Sequence, residues 1–391
     1  MPLNLMILTS YFAIEPKSIR GGIGYRYVGL YGSLVKALLK NSPKSKVFWY
    51  SHTDQSLRII GQTDCKRTKT AMIKAIINAI SDTLRNRRVL AVIIAYPYAV
   101  PRINRIPEYL LSLLMLKIFS IKHIKVIVDE FDLPVEAAYA FSEVQPSTRA
   151  RAAITYQRTL EIVTLKLASF IVTISEFLRQ YMARRYHIRE EKTFVVSNGS
   201  LVRLIRRNAK EFTKLPLKVL YAGSAMKVKD IEKLVSTVAK LREKGLYIDL
   251  YIAGAKLMDM PSWVFVAQHD WPNFVDDVLL EADLCVIPYP PNRLTFFHAV
   301  PAKLFDYMAA GKPIISTNLN EVRDIIKRFN CGLVARDWNE FELHLKRLHR
   351  DREFAKKLGE NGRRAAEKYF NYELLAEALF EKLVKMLRSE N

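Results

Sequence analysis

The stretch Pro301-Ala-Lys-Leu-Phe-Asp-Tyr-Met-Ala-Ala-Gly-Lys-Pro-Ile-Ile-Ser-Thr317 reads as a short helix closed by a glycine and followed at once by a buried strand. Proline opens the helix, Leu304 and Met308 mark its packed side, and Gly311 ends it. Lys303 and Asp306 then fall one turn apart on the first turn, at the sheet edge where parallel α/β sheets bind ligands.

Outward from this stretch, short apolar strands alternate with helical periodicity along the whole chain, the pattern of parallel sheets covered on both faces. Strands are predicted at 3–8, 47–50, 90–95, 124–128, 170–174 and 193–196, with helices at 25–39, 70–84, 107–119, 148–167 and 175–186. A second series of strands starts afresh at 218–222, 248–253, 264–267, 284–288, 313–316 and 332–334. The fold class is α/β, with two doubly wound, Rossmann-like domains expected to face one another across a cleft. The expected division is 1–198 for the first domain, 199–216 for a polar, basic linker, 217–371 for the second domain, and 372–391 for a closing amphipathic helix.

Composition narrows the function classes. The chain has 391 residues, half of them apolar, which is enough for two ordinary cores. Its three cysteines, Cys65, Cys285 and Cys331, show no CxxC spacing, so neither a disulfide framework nor a zinc site is suggested and a reducing, cytoplasmic setting is expected. The start of the chain does not read as a signal peptide, and no apolar run reaches the roughly 18–20 residues of a membrane span. The seven histidines form no HExxH, and no GxSxG elbow occurs. His344 and His349 read as surface residues of a late helix. Net charge is +22. Residues 1–200 carry 29 Lys/Arg against 14 Asp/Glu, so most of the excess lies in the first half. Such a field suits a phosphate-rich partner or an anionic membrane surface, and it also serves solubility.

Four motifs carry candidate chemistry. Ser18-Ile-Arg-Gly-Gly-Ile-Gly24 opens a helix after the first strand, and Gly22 and Gly24 would let backbone N–H groups approach an anion. It is not a GxGxxG fingerprint, because the next glycine is Gly29, two positions too late. Asp129-Glu-Phe-Asp132 directly follows the fourth predicted strand of the first domain, where Asp129 and Asp132 could orient an acceptor hydroxyl or could belong to a solvated loop and helix cap. Gly223, Ser224, Lys227 and Lys229 follow the first strand of the second domain, and the two lysines flank a helix N-terminus suited to a diphosphate. The last motif runs through the Pro- and aromatic-rich loop after Glu281 to His298, Lys303, Leu304 and Asp306.

From Val219 to Thr317 the ordered set resembles the retaining, nucleotide-sugar-dependent glycosyltransferases of the GT-B fold, of the family 4 type. The resemblance implies that Asp306 accepts hydrogen bonds from the donor ribose, that Lys229 and Lys303 lie near the diphosphate, and that the Gly22–Gly24 loop lines the donor phosphate. It adds Gly223, Ser224, Lys227 and Leu304 to the donor set, and Asp129, Asp132 and His298 to the catalytic one. The family carries two glutamates eight positions apart, here His298 and Asp306, and an arginine where this chain has Ser224. Implied partners are a nucleotide sugar and a glycan or lipid-linked acceptor, with no metal or cofactor required. A peripheral place on the cytoplasmic membrane face is the expected localisation, since helix 107–119 combines leucines with flanking Arg102, Arg105, Lys117, Lys122 and Lys125. An epimerase or oxidoreductase is the alternative enzyme class, and a nucleic-acid-binding protein the alternative outside enzymes.

Overall fold

The structure is a computed structural model of the full chain. It describes residues 3–13, 24, 26–97, 105–119, 124–130, 148–206, 215–223, 230–254, 257–267, 271–291 and 300–388. The chain divides into two compact units. One comprises Met1–Ile14, Tyr31–Ser197 and Ala376–Asn391, and the other Glu15–Leu30 and Asn198–Leu375.

The first unit is built on an eight-stranded sheet among the described residues. Its strands are β1 (Leu3–Thr9), β2 (Val47–Ser51), β3 (Ser56–Ile60), β4 (Cys65–Lys69), β5 (Val89–Tyr96), β6 (Ile124–Glu130), β7 (Phe170–Thr173) and β8 (Thr193–Val195), in the order β4-β3-β2-β1-β5-β6-β7-β8. All neighbours are parallel except β2/β3 and β3/β4. Every residue of β1 and β5 is buried, as expected of central strands covered on both faces. Fully burying each Val, Leu or Ile of these runs is worth about 1.5–3 kcal/mol.

The hairpin β3–β4 is absent from the sequence-based assignment, for a physical reason. All five residues of β4, Cys-Lys-Arg-Thr-Lys, are exposed, so this edge strand has no apolar alternation to read and is held by its antiparallel pairing with β3. The helix predicted at 25–39 is also corrected: a π-helical turn, Tyr27–Tyr31, precedes the α-helix Gly32–Asn41. Gly29 lies in that turn, where an added Cβ would fall 2.0 Å from the ring of buried Tyr372. The glycine that spoils a dinucleotide fingerprint is therefore a packing glycine.

Among the described residues the second unit has six parallel strands, β9 (Leu217–Ala222), β10 (Ile248–Ala253), β11 (Val264–Ala267), β12 (Leu284–Ile287), β13 (Ile314–Thr317) and β14 (Gly332–Ala335). Their order, β11-β10-β9-β12-β13-β14, is the Rossmann order, in which the chain's progress across the sheet reverses between β9 and β12 while the strands stay parallel. Ligands of such sheets bind beyond the C-terminal ends of the strands at that reversal. The final helix, Tyr372–Arg388, begins in this unit, and its residues from Ala376 onward belong to the first. His344 and His349, expected at the surface, are half-buried, with His344 Nε2 3.2 Å from the Val334 carbonyl oxygen.

Candidate functional site

The reversal point of the second unit is lined by tyrosines. Tyr221 lies near the C-terminal end of β9 and Tyr289 two residues beyond β12, and their hydroxyls are hydrogen-bonded to one another. Burial pushes both phenols far above their ordinary range, so neither becomes a phenolate at physiological pH. Tyr307, one helical turn beyond Lys303, accepts the Ala222 N–H at 2.8 Å and ties its helix to the end of β9.

Lys303 points into this aromatic frame. Its Nζ lies 4.2 Å from the centre of the Tyr221 ring and 5.1 Å from that of Tyr289. Faces of neutral rings hold an ammonium by their quadrupoles, worth about 0.5–2 kcal/mol. Gly223 permits the approach: its φ is +135°, and a Cβ there would stand 2.5 Å from Lys303 Nζ. The helix Ala302–Ala309 starts at Pro301, with no side-chain cap on its first N–H groups. A cation and a helix N-terminus thus converge at the switch point, an arrangement suited to a diphosphate.

Asp306 sits one turn further along. Its side chain is buried, and its Oδ1 accepts a 2.6 Å hydrogen bond from Ser200 Oγ. Nearby, Asn198 Nδ2 donates to the Val300 carbonyl just before the helix, and buried Arg26 donates through Nη1 to Asn198 Oδ1 at 3.3 Å. Leu304 is fully buried on the packed side of the helix.

In the first unit, Asp129 and Glu130 close β6 and are buried rather than looped into solvent. Tyr31 Oη donates to Asp129 Oδ2 at 2.5 Å. The same ring stands edge-on to Trp49, whose Nε1 donates to Thr9 Oγ1 at 2.7 Å. Gly24 is buried at the head of the segment leading to the π-turn. Gly22, Asp132, Ser224, Lys227, Lys229 and His298 lie outside the described residues.

The structure thus brings Gly223, Lys303 and Asp306 into one unit, and it adds Tyr221, Tyr289, Ser200 and Arg26, which the sequence did not single out. A tyrosine ending a buried strand beside the glycine turn was a usable signal for Tyr221. Ser200 gave none, because its role depends on a partner 106 residues away. Among the described residues no group of His, Cys, Asp and Glu is arranged to hold a metal ion. No described helix is long and apolar enough to cross a membrane.

Two Rossmann-like units make up the GT-B class of α/β architecture, the fold of the solved structures that this chain resembles. Residues 203–365 match the model of the family described as glycosyl transferases group 1. Sucrose-phosphate synthase from Thermosynechococcus elongatus has the same fold over the whole of both chains, with a TM-score of 0.68 at 18% identity. The Anabaena protein HepE, solved in complex with UDP, covers 98% of this chain and 100% of its own, with a TM-score of 0.59 at 12% identity. Among curated proteins, the capsular polysaccharide biosynthesis glycosyltransferase CapM of Staphylococcus aureus is 23% identical over 249 residues, 56% of this chain. That match spans 62% of the length of CapM.

Proposed function

We propose that the protein is a retaining glycosyltransferase that moves a sugar from a nucleotide-diphosphate sugar to a hydroxyl of a glycan or lipid-linked acceptor. The observation that carries this reading is the Lys303 ammonium, held against the neutral rings of Tyr221 and Tyr289 at the strand reversal of the second unit. The family match over residues 203–365 and the glycosyltransferase relatives support the reaction class. The UDP bound by the neighbour of like fold supports a nucleotide donor.

In this reading Lys303, with Lys227 and Lys229, neutralises the charge that builds on the departing diphosphate. Preorganised cations and helix N–H groups aimed at a developing anion stabilise the transition state without a metal. Asp306 takes a ribose hydroxyl on its carboxylate, and Gly22, Gly24 and Ser224 contribute backbone or hydroxyl donors to the donor phosphates. His298 is assigned to the donor sugar, and Asp129 and Asp132 to the acceptor hydroxyl.

The membrane face is part of the same proposal. The helix Ile106–Phe119 buries Tyr109, Leu113 and Leu116 but exposes Leu110, Leu111, Leu114 and Ile118. The element has both an inward and an outward apolar face. Lys117 on the same helix, and the basic excess of the first half, suit anionic headgroups of a cytoplasmic leaflet.

Screening UDP-, GDP- and ADP-sugars for thermal stabilisation and for release of the nucleoside diphosphate tests the reading, with the product's anomeric configuration assigned by NMR. Stabilisation by one nucleotide class with retained configuration is expected. Bound nicotinamide, or salt-sensitive nucleic-acid binding with no response to any nucleotide sugar, would replace it with one of the alternative classes.

A further inference from the structure

Ser200 and Asp306 are both buried, and the hydrogen bond between them is short, 2.6 Å from Oγ to Oδ1. A hydroxyl donating to a carboxylate belongs to the stronger, charge-assisted class of hydrogen bonds, and it fixes the torsion of a short side chain. Asp306 has little length with which to find a ligand by itself. Its orientation is set by what it leans on.

Ser200 is itself held on both sides of its backbone. Its N–H donates to the Phe370 carbonyl at 2.8 Å, and its carbonyl accepts the Tyr372 N–H at 3.1 Å. The pairing Ser200↔Asn371 is an isolated parallel bridge. The ring of Tyr372 continues this brace, packed where Gly29 has no side chain. On the other flank, Asn198 Nδ2 donates to the Val300 carbonyl at the entrance of the helix that carries Asp306. The hydroxyl of Ser200 is therefore delivered from a strap of chain pinned at both ends, and its aim does not depend on a flexible rotamer-rich side chain.

We infer that Ser200 is a positioning residue for the nucleotide site: by holding Asp306 Oδ1 it fixes the rotamer in which the carboxylate meets a ribose hydroxyl of the donor. This rests on the assignment of Asp306 to the ribose. The serine has a specific purpose here because an aspartate occupies the position. A carboxylate on one methylene reaches less far than one on two, and a neighbour that fixes its rotamer secures a geometry that a longer side chain would find by adjusting.

The test uses the nucleoside diphosphate that stabilises the wild-type protein most among UDP, GDP and ADP, together with its 2′-deoxy and 3′-deoxy analogues. Affinities are measured by calorimetry for wild type, Ser200→Ala, Ser200→Thr and Asp306→Asn, with a melting curve for each. Wild type is expected to prefer the ribonucleotide over one of the deoxy analogues by about tenfold or more, the factor that loss of a charged hydrogen bond brings. Ser200→Ala should lose most of that preference while still binding both nucleotides, and Ser200→Thr, which keeps the hydroxyl, should restore it. A merely structural serine would lower the melting temperature and leave the preference intact. Full preference in folded Ser200→Ala overturns the inference and spares the assignment of Asp306. Absence of any preference in wild type, or its persistence in Asp306→Asn, overturns both. If Ser200→Ala does not fold, Ser200→Cys, nearly isosteric but a weak donor, is read against the same ratio, and an unchanged preference in it counts against Ser200.

Discussion

Lys303 Nζ stands 4.2 Å from the centre of the Tyr221 ring, at the end of the strand where the second sheet reverses its order. The rings of Tyr221 and Tyr289 fix the position of the ammonium beside the switch point. Lys303→Met, which keeps the apolar stem but removes the charge, should weaken nucleoside diphosphate binding by about tenfold or more, since hydrogen bonds to charged groups are worth about 1.5–3 kcal/mol. A melting curve separates this loss of affinity from a loss of fold. Titration calorimetry with the variant checks it; wild-type affinity would remove Lys303 from the diphosphate.

Gly223 sets the room for that lysine. Gly223→Ala introduces strain at φ +135° and places a methyl 2.5 Å from Nζ, so Lys303 must move. Gly245→Ala is the control: φ there is +84°, with nothing within 4 Å of an added Cβ. Both variants should lose about 1–2 kcal/mol of stability from the left-handed backbone, but Gly223→Ala alone should also lose nucleotide affinity. Equal affinities in the two variants would show that the crowding of Lys303 has no functional consequence.

What the sequence revealed followed the physics of each element. Buried parallel strands such as Val89–Tyr96 are continuous apolar runs and stand out, and Ser175 announces the helix Glu176–Tyr186 by capping it, its side chain accepting from Leu178 N–H. The exposed strand Cys65–Lys69 lacks any such pattern. At the site, Lys303 and Asp306 were legible because they share one helix turn and a proline start. The contacts that orient them were not: Tyr289 and Ser200 come from distant segments, and only folding brings Ser200 to Asp306 or Tyr289 to Tyr221. Asp129 shows the same limit, since its position at a strand end was readable but its burial against Tyr31 was not.

That burial gives a third prediction. Tyr31→Phe deletes the hydroxyl that donates to Asp129 Oδ2 while keeping the ring edge-on to Trp49. Removing a donor from a buried carboxylate costs about 1–3 kcal/mol, so chemical denaturation should show a clear loss of stability. If Asp129 also orients the acceptor, the variant's turnover should fall with the donor KM unchanged. A stability loss with unaltered kinetics would make the pair purely structural.

His349 gives a pH dependence. Its Nε2 is buried without a hydrogen-bond partner among the described residues, and burial, followed by Arg352 and Arg350, lowers its pKa below the ordinary value of 6.5. A histidine that protonates more readily in the unfolded chain stabilises the fold fully above the unfolded pKa. That contribution is lost as pH falls from about 6.5 through the lower folded value. The stability difference between wild type and His349→Gln should therefore shift against wild type on acidification across this window. Parallel stability curves at pH 7.5 and 5 would contradict it.

The outward face of the helix Ile106–Phe119 carries the last prediction. Leu111 is 49% exposed, Leu114 51% and Ile118 59%, so polar replacements there remove little buried area and should cost the fold little. Together these three side chains offer a water-facing apolar surface on an element that also packs against the helix Met72–Arg85, itself exposing Ile77 and Leu84. Insertion of such a face into headgroups adds to the attraction of basic residues, each worth about 1 kcal/mol near an anionic surface. The protein should therefore sediment with vesicles of anionic lipid at low salt, less with neutral ones, and less as salt rises. Leu111→Gln/Leu114→Gln/Ile118→Gln should keep the wild-type melting temperature and nucleotide binding but leave the vesicle pellet. Wild-type sedimentation of the triple variant would move the attachment away from this helix, and absence of the wild-type protein from both pellets would favour an acceptor in solution.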